Sequence, residues 1–115
     1  MNPKTIKRLE DSKDACVRIR QFLKDVSLDT FLGSALLQSA VERQLEIIGE
    51  ALGAGAKEDD SLVETIPDLP RIVGLRNRLI HGYDSVDSEL VWDVAQTKIP
   101  GLQKQLEAVL RDLDD

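Results

Sequence analysis

The sequence predicts an all-α protein, an up-and-down bundle of four to five helices, and three observations carry this expectation. Aromatic residues are only 3% of the 115-residue chain, while Leu, Ala, Glu, Gln, Lys and Arg are plentiful, the composition of helices rather than sheets. Apolar residues recur at three- and four-residue spacing through most of the chain. Capping residues, glycines and prolines fall between those stretches and leave room only for short connections. The length suits one domain over residues 1–115, with a modest core.

The first helix opens at Pro3, a good first helical residue behind Asn2 as cap. It carries Leu9, Cys16 and Leu23 seven apart, with Ile19 and Val26 beside them. Ser27 and Asp29 give a stop and restart signal. A second long helix follows, marked by Leu36, Leu37, Ala40, Val41, Gln44, Leu45, Ile47, Ile48, Ala51 and Leu52. Its wide apolar arc places it centrally. The segment from Gly53 to Ser61, with two glycines and the acidic run Glu58, Asp59, Asp60, reads as an exposed loop. A helical turn covers Leu62 to Thr65 and ends at Pro67. The third helix opens at Pro70, runs through Ile72, Val73, Leu75, Leu79 and Ile80, and stops at Gly82. The fourth begins near Asp87 and carries Leu90, Val91, Val94 and Ala95. At Pro100 it must kink or give way to a new helix bearing Leu102, Leu106, Val109, Leu110 and Leu113. The acidic tail from Asp112 to Asp115 reads as frayed.

Several function classes are disfavoured. One cysteine, Cys16, cannot make an intrachain disulfide and gives no basis for a cysteine zinc site, so a reducing cytoplasm and no bound metal or cofactor are expected. Neither a signal peptide nor a membrane span is legible. The net charge of −6 argues against broad electrostatic binding of nucleic acid, so any RNA contact must be local. Arg71, Arg76 and Arg78 form the local basic patch that such a contact needs, beside the only histidine.

That histidine lies in the segment Gly74-Leu-Arg-Asn-Arg-Leu-Ile-His-Gly-Tyr83, which gathers arginine, an amide, imidazole and the only tyrosine within eight positions. On a helix Asn77 and His81 share a face, and Arg76 lies about 100° around. Its long side chain still reaches the same cleft. Cleaving an RNA phosphodiester through its 2′-hydroxyl needs a base, an acid, and positive donors for the charge on phosphorus. Imidazole serves as either acid or base near neutral pH, and guanidinium suits phosphate. No metal is required. One chain supplies one imidazole, whereas a concerted pair uses two, so a two-fold homodimer that joins His81 and Arg76 to their copies is expected.

The segment Arg76-Asn-Arg-Leu-Ile-His-Gly-Tyr83 matches the R-x4-6-H motif of HEPN ribonucleases, in the R-N-x3-H-x-Y form of HepT-like toxins. Val41-Glu-Arg-Gln-Leu-Glu-Ile-Ile-Gly-Glu-Ala51 is similar to that family's second-helix signature. Val86-Asp, Val91-Trp-Asp93 and Leu9-Glu-Asp11 extend the similarity over nearly the whole chain. The tryptophan common before the third helix is absent. The resemblance implies the toxin half of a toxin–antitoxin pair, a metal-independent RNase acting at a dimer cleft. It also implies a partner, a minimal nucleotidyltransferase of the MNT type, that transfers AMP onto Tyr83. The alternative is a non-catalytic, nucleotide-binding or docking partner of a nucleotidyltransferase, which an acidic surface suits.

Other residues carry two readings each. A lone histidine at a helix end would only bond free carbonyls, and the motif around His81 turns the reading towards chemistry. Asn77 orients rather than touches substrate. Arg43, Glu46 and Glu50 stand three and four apart on one face, either as a solvated ion-pair face or as a polar face that pairs with Arg76. Arg78 reads as a solvated side chain and Trp92 as packing.

Overall fold

The computed structural model describes residues 1–81 and 86–114, and the side chains of these except Ile80, His81 and Asp114. Among the described residues every regular element is helical: α1 (Pro3–Phe22), α2 (Leu28–Leu32), α3 (Ala35–Glu58), α4 (Leu62–Thr65), α5 (Leu69–His81), α6 (Ser88–Thr97) and α7 (Ile99–Asp114). The all-α expectation holds, with seven helices in place of four or five. The short α4 is the helical turn expected at Leu62 to Thr65, and the short α2, ahead of α3, is the piece not expected.

Local chemistry accounts for most boundaries. The Asn2 side chain accepts from the Lys4 amide ahead of Pro3, and Asp87 accepts from the Glu89 and Leu90 amides to start α6. Asp25, at φ 60°, turns the chain out of α1 in the left-handed region that Asp tolerates better than most residues. Ser27 caps α2 and Ser34 caps α3. Gln38 ties this corner together: its amide donates to the Phe31 and Leu32 carbonyls, both at 3.0 Å, and its oxygen accepts from the Ser88 hydroxyl. In the first turn of α3 Leu36 is 79% exposed, outside the buried arc expected of it, while Leu37 packs against the core. At Lys98 the chain ends α6, and Pro100 sits in the first turn of α7, where its missing N–H costs nothing.

The segment Gly53 to Ser61 corrects the sequence expectation. It is no loop up to Glu58 but the last turns of α3, and Gly55 is buried. Here the glycines serve close packing. A methyl group at Gly55 would lie 3.0 Å from Leu62 and 3.5 Å from the Arg8 stem, and one at Gly53 would lie 3.6 Å from Val73. The tail is likewise ordered as helix to Asp114 instead of fraying from Asp112.

α3 lies at the centre and runs antiparallel to α1 and to α5, while α7 packs on α1. Val41, Leu45, Ile48 and Leu52 of α3 join Leu9, Cys16 and Ile19 of α1 and Leu102 and Leu106 of α7 in one core. At one end Glu58 accepts from the Thr5 hydroxyl at 3.0 Å and the Arg8 Nε at 3.3 Å, clamping α1 to α3. At the other end Trp92 packs on Phe31, with ring centroids 5.4 Å apart, as expected of a packing residue. No described helix is long and apolar enough to cross a membrane.

Candidate functional site

The motif helix α5 is held by two contacts. Leu69, Ile72 and Leu79 are buried in the core, and the side of α5 that faces α3 carries Val73 and Arg76. Three residues apart, these two stand about one turn above each other and meet Gly53 and Gly49, which are four apart on α3. The small residues let the two backbones come close. Between the helices runs an open groove of about 740 Å³, and Glu50, Lys57, Val73, Arg76 and Asn77 line it.

Arg76 is half-buried at the root and polar at the tip. Its Nη1 donates to the Asn77 Oδ1 at 3.1 Å, so the two adjacent motif residues are joined. Its Nε is buried and has no hydrogen-bond partner among the described residues. A buried donor on a permanently charged group left unpaired costs about 1–3 kcal/mol or more.

The polar residues of α3 are arranged differently from Arg76. Arg43 donates to Glu46 at 3.3 Å and is mostly exposed, forming an intrahelical pair. Glu50 is exposed and shares the groove with Arg76, but the Arg76 guanidinium bonds Asn77. Glu42, on the neighbouring face, has its carboxyl raised above the usual range by burial and by repulsion from Glu46. His81 is the last residue of α5, with its side chain outside the described part of the structure; Gly82, the expected stop, and Tyr83 lie outside the described residues as well.

The basic patch read from the sequence is split by the helix. Arg71 and Arg78, seven residues apart, stand on the side of α5 that faces α6, where with Lys98 they rim a groove of about 380 Å³ floored by Ile72, Leu75, Leu90 and Val94. Arg76 points to the α3 side because two residues turn a helix by roughly 200°. Gly49 was missed as a site residue. The signal was available: a glycine inside a strong helical pattern costs about 1 kcal/mol against alanine, which points to a close contact. Cys16 takes no part, for burial pushes its thiol up to about 12.

Comparison with known proteins adds the family. Residues 12–109 match the family described as ribonuclease HepT-like. A protein of Methanocaldococcus jannaschii assigned as an RNase is 35% identical over 99 residues, covering 84% of this chain and 83% of its own length. Another assigned RNase, from Caldanaerobacter subterraneus, is 33% identical over 103 residues, covering 90% of this chain and 91% of its own. A Thermococcus cleftensis protein assigned as ribonuclease HepT is 33% identical over 101 residues, covering 86% and 89%. No solved structure matches the chain.

Proposed function

Since this chain belongs to the HepT-like ribonuclease family, within the HEPN superfamily, we propose that it is a metal-independent endoribonuclease toxin whose site is completed by a second copy of itself. The observation that carries this reading is Arg76: an always-charged guanidinium, braced by Asn77, on the wall of an open groove. Residues 1–115 act as one HEPN domain.

The chemistry follows from the residue types. One His81 takes the proton of the ribose 2′-hydroxyl, whose oxygen attacks the adjacent phosphorus. The bond from phosphorus to the 5′-oxygen breaks, and the copy of His81 in the second chain protonates that leaving oxygen. The products are a 2′,3′-cyclic phosphate and a 5′-hydroxyl. Arg76 holds the charge that builds on the non-bridging oxygens, and donors aimed at such charge contribute roughly 10²–10³ in rate. Asn77 keeps the guanidinium oriented. Glu50 lines the groove beside Arg76, while Arg43 and Glu46 pair with each other on the exposed face of α3.

Regulation goes through Tyr83. In this reading a cognate nucleotidyltransferase antitoxin, as in type VII-like toxin–antitoxin pairs, directs the phenol oxygen onto the α-phosphorus of ATP, releasing pyrophosphate and leaving AMP on the tyrosine. The attached phosphate is an anion within two residues of His81, and it competes with substrate phosphate for Arg76. Intact-mass measurement of the chain expressed with and without that enzyme tests this. A gain of AMP units that maps to Tyr83 and abolishes cleavage is expected; an unchanged mass beside an active transferase would contradict it.

A second reading is favoured by the net charge of −6, which repels RNA at long range. In it the domain docks a nucleotidyltransferase without cutting RNA. His81→Ala separates the two: the toxin reading predicts loss of growth arrest and cleavage together, whereas docking predicts an unchanged partner complex and no cleavage to lose.

A further inference from the structure

We infer that Gly49 is a positioning residue for Arg76, acting through the closest approach of α3 and α5; this rests on the reading of Arg76 as the phosphate-binding group. A methyl group placed on Gly49 would overlap the Cβ of Arg76, lie 2.7 Å from its Cγ, and come within 3.3 Å of the Ile72 carbonyl oxygen. Neither of the other two glycines of α3 is so constrained. A methyl at Gly53 makes ordinary contact with Val73, and one at Gly55 presses on the flexible end of Leu62. The place where α3 cannot bear any side chain is therefore the place where it faces the root of Arg76.

The consequence is mechanical. With the bare backbone of α3 against its Cβ and Cγ, the stem of Arg76 has no room to change rotamer, and its Nε is sealed from water. Arg76 lines the groove, where its Nη1 is turned by Asn77. The guanidinium is thereby set before substrate arrives, and donors fixed in advance do not have to reorganise during the reaction. Gly49→Ala lifts α5 away, releases the stem and loses that alignment.

The test compares Gly49→Ala with the wild-type chain in RNA cleavage and in the nitrogen-15 spectrum of the arginine side chains, with Arg76→Ala to assign the Arg76 Nε–H. Gly101→Ala serves as control, since nothing lies within 4 Å of that position on α7. We expect Gly49→Ala to lower kcat about tenfold or more while KM for RNA stays within about threefold, the pattern of a lost transition-state contact. The Arg76 Nε–H should then exchange with water as fast as those of exposed Arg71 and Arg78. A folded Gly49→Ala chain with wild-type kcat would overturn the inference, and so would a fall in kcat with Arg76 Nε–H exchange unchanged. Should Gly49→Ala fail to fold, Gly53→Val wedges the same helices one turn away, and the same two readouts decide in the same way. Wild-type kcat in Arg76→Ala would overturn the parent reading of Arg76, which the exchange measurement alone cannot do.

Discussion

At Arg76 and Cys16 the same force, burial, has opposite consequences. A guanidinium cannot shed its proton, so sealing its Nε leaves an unmet donor on a group whose charge stays at the groove. A thiol can stay protonated, and Cys16, wholly buried, does so, its pKa pushed up to about 12 chiefly by desolvation. Only the thiolate reacts with alkylating agents. Cys16 should therefore resist iodoacetamide in the native chain at pH 8 and react once guanidinium chloride unfolds it; rapid native labelling would contradict this. The sign for stability follows from linkage. Below the ordinary thiol value of 9.0 both states hold the proton, whereas between 9.0 and about 12 only the unfolded chain loses it, so stability falls as pH rises through that window. At this scale the motif from Arg76 to Tyr83 was legible as chemistry because its residue types are rare together. The orienting role read for Asn77 matches its bond to Arg76, whereas the limit set by Gly49 was not legible, since it depends on how near a second helix comes.

At the scale of the element, α3 explains what sequence reading got right and where it slipped. Its apolar arc from Leu37 to Leu52 follows helical spacing and was placed centrally, where it lies. Its last two turns were read as a loop because Gly53 and Gly55 score as breakers, and the acids after them read as a solvated run. What holds those turns helical is tertiary: the clamp of Glu58 to Thr5 and Arg8, and the packing of Gly55 against the side chains of Leu62 and Arg8. Thr5 is fully buried, so removing its acceptor leaves a hydroxyl unsatisfied. Glu58→Ala should cost about 1–2 kcal/mol in urea unfolding, mostly from that hydroxyl, because the Arg8 ion pair is partly exposed and screened. Thr5→Val in the same chain should recover part of the loss. A simple sum of two separate losses would show that the clamp is not one unit. The short helix α2 went unread for a similar reason: five residues show too little periodicity, and Gln38, seven positions from Phe31, supplies the caps that stop it.

For the whole molecule the governing facts are charge and number. A chain of net charge −6 with one imidazole has neither the field to gather RNA nor the second proton carrier that concerted cleavage asks for. In the proposed homodimer two motif helices would come together and meet both needs, doubling the histidine and the arginines of the motif. The split of the arginines fits this division of labour: Arg76 faces the groove with α3, while Arg71 and Arg78 with Lys98 line the other side of α5. The most direct test incubates the purified chain with a defined RNA in EDTA, analyses the new ends, and repeats this with Arg76→Ala and with His81→Ala. The account predicts cleavage by the wild-type chain that leaves 2′,3′-cyclic phosphate and 5′-hydroxyl ends, reduced about 10²-fold or more in each variant. Undiminished cleavage in either variant, or cleavage only when a divalent metal is restored, would contradict it.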